Sequence, residues 1–321
     1  MILPILFLVG GLALVIYSAD VLVKGASAVA RKLKISELVI GLTIVSMGTS
    51  TPELIVNIFA SLQGSSDLAI GNILGSNIAN ILLILGIAAL IYPLTVTKGT
   101  VWKEIPFSLL AALMVGVMAN DRFFDSLGAD SITRTDGLAL MAFFIIFMYY
   151  VYGISREQGA NSSDQAPVKD MKTILAILFV VGGIIGLTVG GRVIVDNAIY
   201  LATIFGVSEA LVGLTIVAIG TSLPELATSA VAAYRKNVDI AVGNIVGSNI
   251  FNIFWILGLS SIIKPLPFTA QNNFDALMVI FVSLVLFAFM FIGQRRVLQR
   301  WQGAMFLLLY LGYIGFLVIR G

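Results

Sequence analysis

The chain has 321 residues, of which 59% are apolar and only 11% are charged, and it contains no histidine and no cysteine. Soluble domains carry about 25% charged residues, so this composition excludes a water-soluble globular enzyme. The missing residue types also exclude disulfides, cysteine nucleophiles, Ser-His-Asp catalysis and Cys or His zinc sites. Any metal chemistry must therefore use oxygen ligands, which suit hard cations.

Apolar segments long enough to cross a bilayer recur along the whole chain. A spanning helix needs about 20 mainly apolar residues, and ten segments qualify. In chain order, spans 1 to 10 are predicted at 2–29, 36–62, 68–92, 101–119, 136–154, 173–200, 208–234, 240–263, 274–293 and 301–319. The sequence therefore predicts an all-α integral membrane protein with ten transmembrane helices.

Basic residues indicate which side of the membrane each loop faces, because Lys and Arg concentrate in short cytoplasmic loops. With the N-terminus outside, the inward loops hold Arg31, Lys32, Lys34, Lys98, Lys103, Arg156, Lys169, Lys172, Arg235, Lys236, Arg295, Arg296 and Arg300. The outward side holds Arg122, Arg134, Lys264 and Arg320. Both termini are thus predicted to lie outside. The net charge of +2 reflects this topology, and we expect no nucleic-acid partner.

An internal repeat relates the two halves of the chain. Residues 41–86 align without a gap on 213–258, at an offset of 172, with 26 identities in 46 positions. Each half holds five spans, an odd number, so the second half must enter the membrane with the opposite polarity. We predict two inverted five-helix repeats, 1–155 and 173–321, joined by a cytoplasmic linker at 156–172. This organisation is typical of secondary transporters.

Each copy of the repeat places polar residues along otherwise apolar helices. Spacings of three and four put them on one helical face. Spans 2 and 7 carry Ser46, Thr49, Ser50, Glu53 and Asn57, and Ala218, Thr221, Ser222, Glu225 and Ser229. Spans 3 and 8 add Asn72, Ser76 and Asn80, and Asn244, Ser248 and Asn252. Such stripes must face the protein interior or water, because lipid offers no hydrogen-bond partners.

Glu53 and Glu225 lie near the middles of spans 2 and 7, and neither span has a Lys or Arg beside its glutamate. A charged side chain at the bilayer centre costs about 2.5–3.5 kcal/mol. Two unpaired carboxylates repel each other, so either one is protonated or a cation neutralises both. One dication balances two glutamates without remainder. The alternative is a protonated glutamate that is hydrogen-bonded between helices.

Pro52 and Pro224 immediately precede the two glutamates. Proline lacks an N–H and crowds the carbonyl one turn earlier, which here belongs to Gly48 or Gly220. A freed carbonyl needs a partner in a dry environment, and a bound cation would supply one.

Spans 1 and 6 carry two pairs of opposite charges at i, i+4, Asp20 with Lys24 and Arg192 with Asp196. At the repeat offset Asp20 matches Arg192, and Lys24 matches Asp196. Such pairs neutralise each other. We interpret them as structural ion pairs, with direct ion transport as the alternative. They could also clamp sliding helices.

The paired motifs resemble those of the cation/Ca²⁺ exchanger superfamily, specifically the prokaryotic sodium/calcium antiporters. The resemblance rests on GTSTPE at 48–53, GTSLPE at 220–225 and the GSN motif after each, and it extends over the whole chain in length and span number. It implies the sodium/calcium exchanger fold, with ion sites between spans 2, 3, 7 and 8, and with spans 1 and 6 sliding against them. It also implies the inner membrane of a prokaryote.

The resemblance assigns roles to residues of both repeats. It implies that Glu53 and Glu225 hold Ca²⁺ with the main-chain carbonyls of Thr49 and Thr221. Sodium sites would use both glutamates together with Ser50, Ser76, Ser222, Ser248 and the backbone oxygens of Ser46 and Ala218. Asn80 and Asn252 would occupy the middle of the site. Some relatives, including K⁺-dependent ones, carry Asp where this chain has Asn252, and the neutral amide disfavours K⁺ co-transport.

We therefore expect a secondary antiporter, not an enzyme, that exchanges Na⁺ for Ca²⁺ by alternating access and drives electrogenic Ca²⁺ extrusion. An H⁺/Ca²⁺ antiporter is the alternative, although proton-coupled relatives usually carry a histidine in their repeats. A passive cation channel lined by the same stripes is a third interpretation. The expected partners are Ca²⁺, Na⁺ and the lipid bilayer. We expect a monomer without a prosthetic group or an obligatory protein partner.

Overall fold

The computed structural model describes residues 2–124, 130–159, 171–204 and 218–320, and these residues are almost entirely helical. In chain order, the helices are Ile2–Leu33, Glu37–Thr49, Thr51–Gln63, Ser66–Ile91, Thr100–Met118, Asp121–Phe124, Arg134–Gly159, Thr173–Ile204, Ala218–Thr221, Leu223–Tyr234, Val238–Ile263, Ala270–Phe289 and Arg300–Arg320.

Eight helices in the described ranges are long and apolar enough to cross a membrane, and the bent pair Glu37–Thr49 and Thr51–Gln63 makes nine if it counts as one span. The chain is therefore a multi-pass helical membrane protein. Predicted span 7, 208–234, falls partly on residues 205–217, which lie outside the described residues. The same is true of most of the predicted linker 156–172 and of the start of the second repeat copy.

Most helix boundaries lie within a few residues of the prediction, and span 9 departs the most. The sequence predicts 274–293, whereas the helix is Ala270–Phe289. Thr269 caps its start, because its hydroxyl accepts a hydrogen bond from the backbone N–H of Asn272 at 3.3 Å. Beyond its end, Gly293 adopts a left-handed φ of 80° in the turn towards span 10.

Four two-residue strands depart from the all-helical expectation. Leu94–Thr95 pairs antiparallel with Val297–Leu298, and Ser131–Ile132 pairs antiparallel with Leu266–Pro267. The first pair ties the loop after span 3 to the loop after span 9, and the second ties the loop after span 4 to the loop after span 8. Because span 4 lies between the two strand pairs along the chain, they mark opposite ends of the helix bundle.

Loops rich in basic residues meet at one end of the molecule. Lys236 Nζ lies 5.9 Å from the ring centroid of Tyr92, and Asn237 donates a hydrogen bond to Ser27 Oγ at 2.9 Å. We call this end the basic face; its loops are residues 34–36, 92–99, 235–237 and 290–299. The described basic loops thus gather on one side, as predicted, while linker residues 160–170 lie outside the described residues.

The helices of spans 3 and 8, Ser66–Ile91 and Val238–Ile263, form the centre of the bundle and are the most deeply buried of the candidate membrane helices. Their neighbours instead expose large apolar side chains such as Phe7 and Leu178. In a bilayer this exposure carries no penalty, because lipid tails are as apolar as the side chains. The polar stripes of spans 3 and 8 therefore lie at the centre of the bundle, away from lipid.

Spans 1 and 6 pack antiparallel through glycines. A Cβ on Gly183 would lie 2.7–2.9 Å from atoms of Leu22, and one on Gly190 would lie 2.8 Å from Val15 Cγ2. Small residues of this kind let membrane helices approach closely. The two helices therefore form a tight pair beside the central bundle.

Candidate ion-binding site

Each glutamate lies at the start of a half-helix. The helix of span 2 bends by 47° between Glu37–Thr49 and Thr51–Gln63, and the break falls at Ser50, with φ −83° and ψ 9°. The corresponding break at Ser222 has φ −86° and ψ 5°. Proline occupies an early position of both following helices, because its missing N–H would be unpaired there anyway. Each break lies two residues before Pro52 or Pro224, and it puts the following carboxylate at a helix N-terminus, where the dipole favours negative charge. The freed carbonyls of Gly48 and Gly220 stay a prediction.

Each glutamate is held by a serine from the other repeat. Ser50 Oγ donates a hydrogen bond to Glu225 Oε1 at 2.8 Å, and Ser222 Oγ donates one to Glu53 Oε1 at 3.5 Å. Both glutamates are only 1% exposed, and each accepts a hydrogen bond from the serine that lies three residues before the other glutamate. The structure therefore brings together the two side chains on which the sequence prediction depends.

Two asparagines repeat the same crossed pattern one layer away. Thr49 Oγ1 donates to Asn244 Oδ1 at 3.0 Å, and Thr221 Oγ1 donates to Asn72 Oδ1 at 3.4 Å. Each asparagine then donates back within its own repeat, Asn72 to Asn57 Oδ1 at 2.7 Å and Asn244 to Ser229 Oγ at 2.9 Å. The hydroxyls of both threonines thus have partners in the opposite repeat, while the prediction concerned their main-chain carbonyls.

Four amides join spans 3 and 8 at the centre of the bundle. Asn252 donates to Asn77 Oδ1 at 3.0 Å, and Asn80 donates to Asn249 Oδ1 at 3.0 Å. Asn77 and Asn249 are functional candidates that the prediction missed. Their signal was present in the sequence, because each is the last residue of a duplicated GSN motif.

π-helical turns distort the same region of spans 3 and 8. They cover Asn80–Ile84 and Phe251–Leu257, so each includes one asparagine of the predicted site. Single π-turns are rare and cluster at functional sites because they re-aim side chains. The repeat motif does not predict them, since a π-turn has no short sequence signature.

Four buried acceptor oxygens in this region have no hydrogen-bond partner among the residues that the structure describes. They are Glu53 Oε2, Glu225 Oε2, Asn80 Oδ1 and Asn252 Oδ1, two mirrored pairs. An unsatisfied buried acceptor costs about 1–3 kcal/mol, and more if it is charged. Oxygen acceptors without protein donors are the groups that a hard cation coordinates, so the donor set fits Ca²⁺ or Na⁺ as cargo.

The site is weakly acidic for a cation site. In the described part of the chain, no group of three or more Asp, Glu, His or Cys residues could hold a metal. Two carboxylates supply the charge, and hydroxyl and amide oxygens supply the remaining ligands.

The remaining predicted residues differ in their placement. Ser76 Oγ lies 3.3 Å from Ser222 Oγ, so this hydroxyl belongs to the site. Ser248 is fully buried, and its hydroxyl has no hydrogen-bond partner among the described residues. Ser46 Oγ donates instead to the carbonyl of Thr43 at 3.1 Å. Ala218 begins the short helix Ala218–Thr221, and its side chain lies outside the described atoms.

Span 6 covers both helix breaks. A Cβ added to Gly48 would collide with Ile184, and one added to Gly220 would collide with Val195. Both contact residues belong to the helix Thr173–Ile204. The glycines that begin the two GTS motifs thus let one helix of the outer pair lie directly against both halves of the site.

Known proteins share this architecture. A family model described as sodium/calcium exchanger protein matches residues 3–153 and 175–319. The inner membrane protein YrbG of Escherichia coli is 42% identical over 272 residues, covering 83% of this chain and 81% of that protein. The sodium/calcium exchanger MaX1 of Methanosarcina acetivorans is 34% identical over 343 residues, covering 96% and 97%.

A solved structure agrees over nearly the full length. The sodium-calcium exchanger NCX_Mj superposes with a TM-score of 0.83 at 32% sequence identity, covering 98% of both chains. The family match, the full-length relative and the shared fold all point the same way. This chain therefore belongs to the sodium/calcium exchanger family.

Proposed function

We propose that the protein is a secondary antiporter that exchanges Na⁺ for Ca²⁺ by alternating access. The observation that carries this proposal is the crossed pairing of Ser50 with Glu225 and of Ser222 with Glu53. Because each carboxylate depends on the opposite repeat, any ion bound between them contacts both halves at once. A movement that opens one half to water must then disturb the ion's ligands on both.

Charge balance explains why transport would be an exchange. Glu53 and Glu225 bring two negative charges into a buried site, which one Ca²⁺ or several Na⁺ neutralise. An empty, doubly charged site resists crossing the membrane because burying uncompensated charge is costly. Return of the carrier therefore requires the other ion, and no prosthetic group is needed.

The same balance makes the exchange electrogenic if three Na⁺ move for each Ca²⁺. One net charge then crosses per cycle, which is worth about 2.3 kcal/mol for each 100 mV of membrane potential. With an interior-negative membrane, inward Na⁺ movement would drive Ca²⁺ out of the cell.

The proposed ligands are the residues assigned from the repeats. Ca²⁺ would bind Glu53 and Glu225 with the carbonyls of Thr49 and Thr221. Sodium would use the serine oxygens and both carboxylates as well, and the free oxygens of Asn80 and Asn252 would complete the central position. The backbone oxygens of Ser46 and Ala218 would contribute at the outer edges.

The proposed topology has ten spans in two inverted halves, 1–155 and 173–321, with both termini outside. Met171, which precedes span 6, lines the same cleft as Arg31 and Arg235. The start of span 6 and the end of span 7 therefore both lie at the basic face. The described helix Leu223–Tyr234 ends at this face, which supports span 7 as a crossing. The positive-inside rule assigns the basic face to the cytoplasm of a prokaryotic cell.

The test is uptake of ⁴⁵Ca²⁺ into proteoliposomes under separate Na⁺, K⁺ and H⁺ gradients. An outward Na⁺ gradient should drive uptake, and a K⁺ gradient should not. Equal uptake without a Na⁺ gradient would contradict the proposal, and uptake driven by a pH gradient alone would favour H⁺/Ca²⁺ exchange.

A further inference from the structure

Span 1 is tied to the connection between spans 7 and 8 at two points on the basic face. The guanidinium of Arg235 forms an ion pair with the carboxylate of Asp20, and Lys24 Nζ lies 2.8 Å from the same carboxylate. Further along span 1, Ser27 Oγ accepts a hydrogen bond from Asn237 at 2.9 Å. The sequence pairs Asp20 only with Lys24, so the Arg235 contact is a feature of the tertiary structure.

The mirrored positions on the other face lack this tie. At the repeat offset, Arg235 corresponds to Gln63, and Asp20 corresponds to Arg192. Among the described residues, Arg192 forms an ion pair only with Asp196, at 3.7 Å, and its side chain is 84% exposed. The two repeats are therefore alike at the ion site, but the described residues show an ion pair between repeats only at the basic face.

The tie lies just beyond the end of the helix that carries Glu225. Helix Leu223–Tyr234 begins beside Glu225 and ends next to Arg235. Thr228, on this helix, is fully buried, and its hydroxyl has no partner among the described residues. Outside the tie, a cleft of about 370 Å³ opens between span 1 and the 235–237 connection, and Lys24, Ser27, Arg235 and Asn237 line it.

We propose that Asp20 and Arg235 form a clamp that keeps the ion site closed towards the basic face. The clamp must open whenever ions enter or leave on that side. In the resting protein the intact clamp therefore favours the state that is closed at the basic face. Asp20 and Arg235 act as positioning residues, since they set access to Glu225 without binding the ion.

A cysteine-accessibility experiment tests the clamp, and the natural absence of cysteine makes it clean. Thr228→Cys places one thiol behind the clamp and breaks no hydrogen bond of the described structure. The labelling rate by a membrane-impermeant maleimide applied to the basic face is then measured in vesicles. Adding Arg235→Gln should raise this rate about fivefold, the factor expected for losing a half-buried ion pair.

Matched variants separate a clamp from general loosening. Asp20→Asn should raise labelling as Arg235→Gln does, and Arg235→Lys, which keeps the charge, should raise it less. Arg192→Gln removes the mirrored charge and should leave labelling unchanged. An unchanged rate in both Asp20→Asn and Arg235→Gln, or an equal rise in Arg192→Gln, would overturn the proposal.

The effect of the clamp on transport rests on the proposed function. The labelling rate does not, because it measures directly whether the basic face is open. If Na⁺ failed to drive Ca²⁺ uptake while the clamp variants still changed labelling, the proposed function would fail and the clamp would stand. Normal Na⁺-driven uptake, with labelling that does not respond to the clamp variants, would support the proposed function and overturn the clamp.

Discussion

Ser50 donates to Glu225 at 2.8 Å, whereas its mirrored counterpart Ser222 lies 3.5 Å from Glu53. The two repeats are thus equivalent in residue type but unequal in geometry. Ser222 divides its contacts, because Ser76 Oγ lies 3.3 Å away from the same hydroxyl. The stronger bond therefore holds the carboxylate of the second repeat.

The first prediction concerns the two carboxylates themselves. Glu53→Gln and Glu225→Gln each keep the volume of the side chain and remove its charge, so both should abolish Na⁺-driven ⁴⁵Ca²⁺ uptake with the fold intact. Glu104→Gln is the matched control. Glu104 is equally buried but lies in span 4, and its hydrogen-bond partner is Tyr150 of span 5. Normal uptake by either site variant would refute the assignment.

The inequality of the two serine bonds predicts unequal variants. A hydrogen bond to a charged group contributes about 1.5–3 kcal/mol, so Ser50→Ala should weaken apparent Ca²⁺ affinity by about tenfold or more. Ser222→Ala should weaken it less, because its bond to Glu53 is long. Titration of Ca²⁺ in the flux assay measures both, with Ser108→Ala, a buried serine of span 4, as control. A larger loss for Ser222→Ala would reverse the ranking.

Asn252 offers a test of charge balance. Asn252→Asp adds a third carboxylate in place of an amide whose oxygen already lacks a donor in the described structure. With Ca²⁺ bound, the site would then keep one uncompensated negative charge, so transport should come to require an additional monovalent cation. The measurement is the dependence of ⁴⁵Ca²⁺ uptake on K⁺ and on pH. Uptake that is insensitive to both would show that residue 252 lies too far from the ion.

The close packing of spans 1 and 6 at Gly183 and Gly190 gives a stability prediction. Gly183→Ala places a methyl group 2.7–2.9 Å from atoms of Leu22, so the helices must separate, at a cost of about 1–3 kcal/mol. Gly182→Ala is the neighbouring control, since no atom lies within 4 Å of its added Cβ. Thermal unfolding in detergent should show a lower Tm for Gly183→Ala alone. Equal Tm values would mean that the two helices do not pack this closely.

The helical class, the membrane location and the two carboxylates were predictable because they depend on local properties. The length of an apolar segment predicts a spanning helix, and the spacing of polar residues predicts a shared helical face. The duplicated Pro-Glu pair indicates a disrupted helix next to a charge. The two GSN motifs were equally visible, yet the roles of Asn77 and Asn249 were not, because their partners lie on the other repeat.

What the sequence by itself determined is therefore the content of each helix: its length, its polar face and the position of its break. Only the tertiary structure decided which serine serves which glutamate, where the π-turns fall, and that Arg235 reaches Asp20 across the basic face. The reason is that hydropathy and spacing are properties of one segment. Contacts between repeats depend on the packing angle and the relative height of helices far apart in the chain, and no short stretch of sequence encodes either.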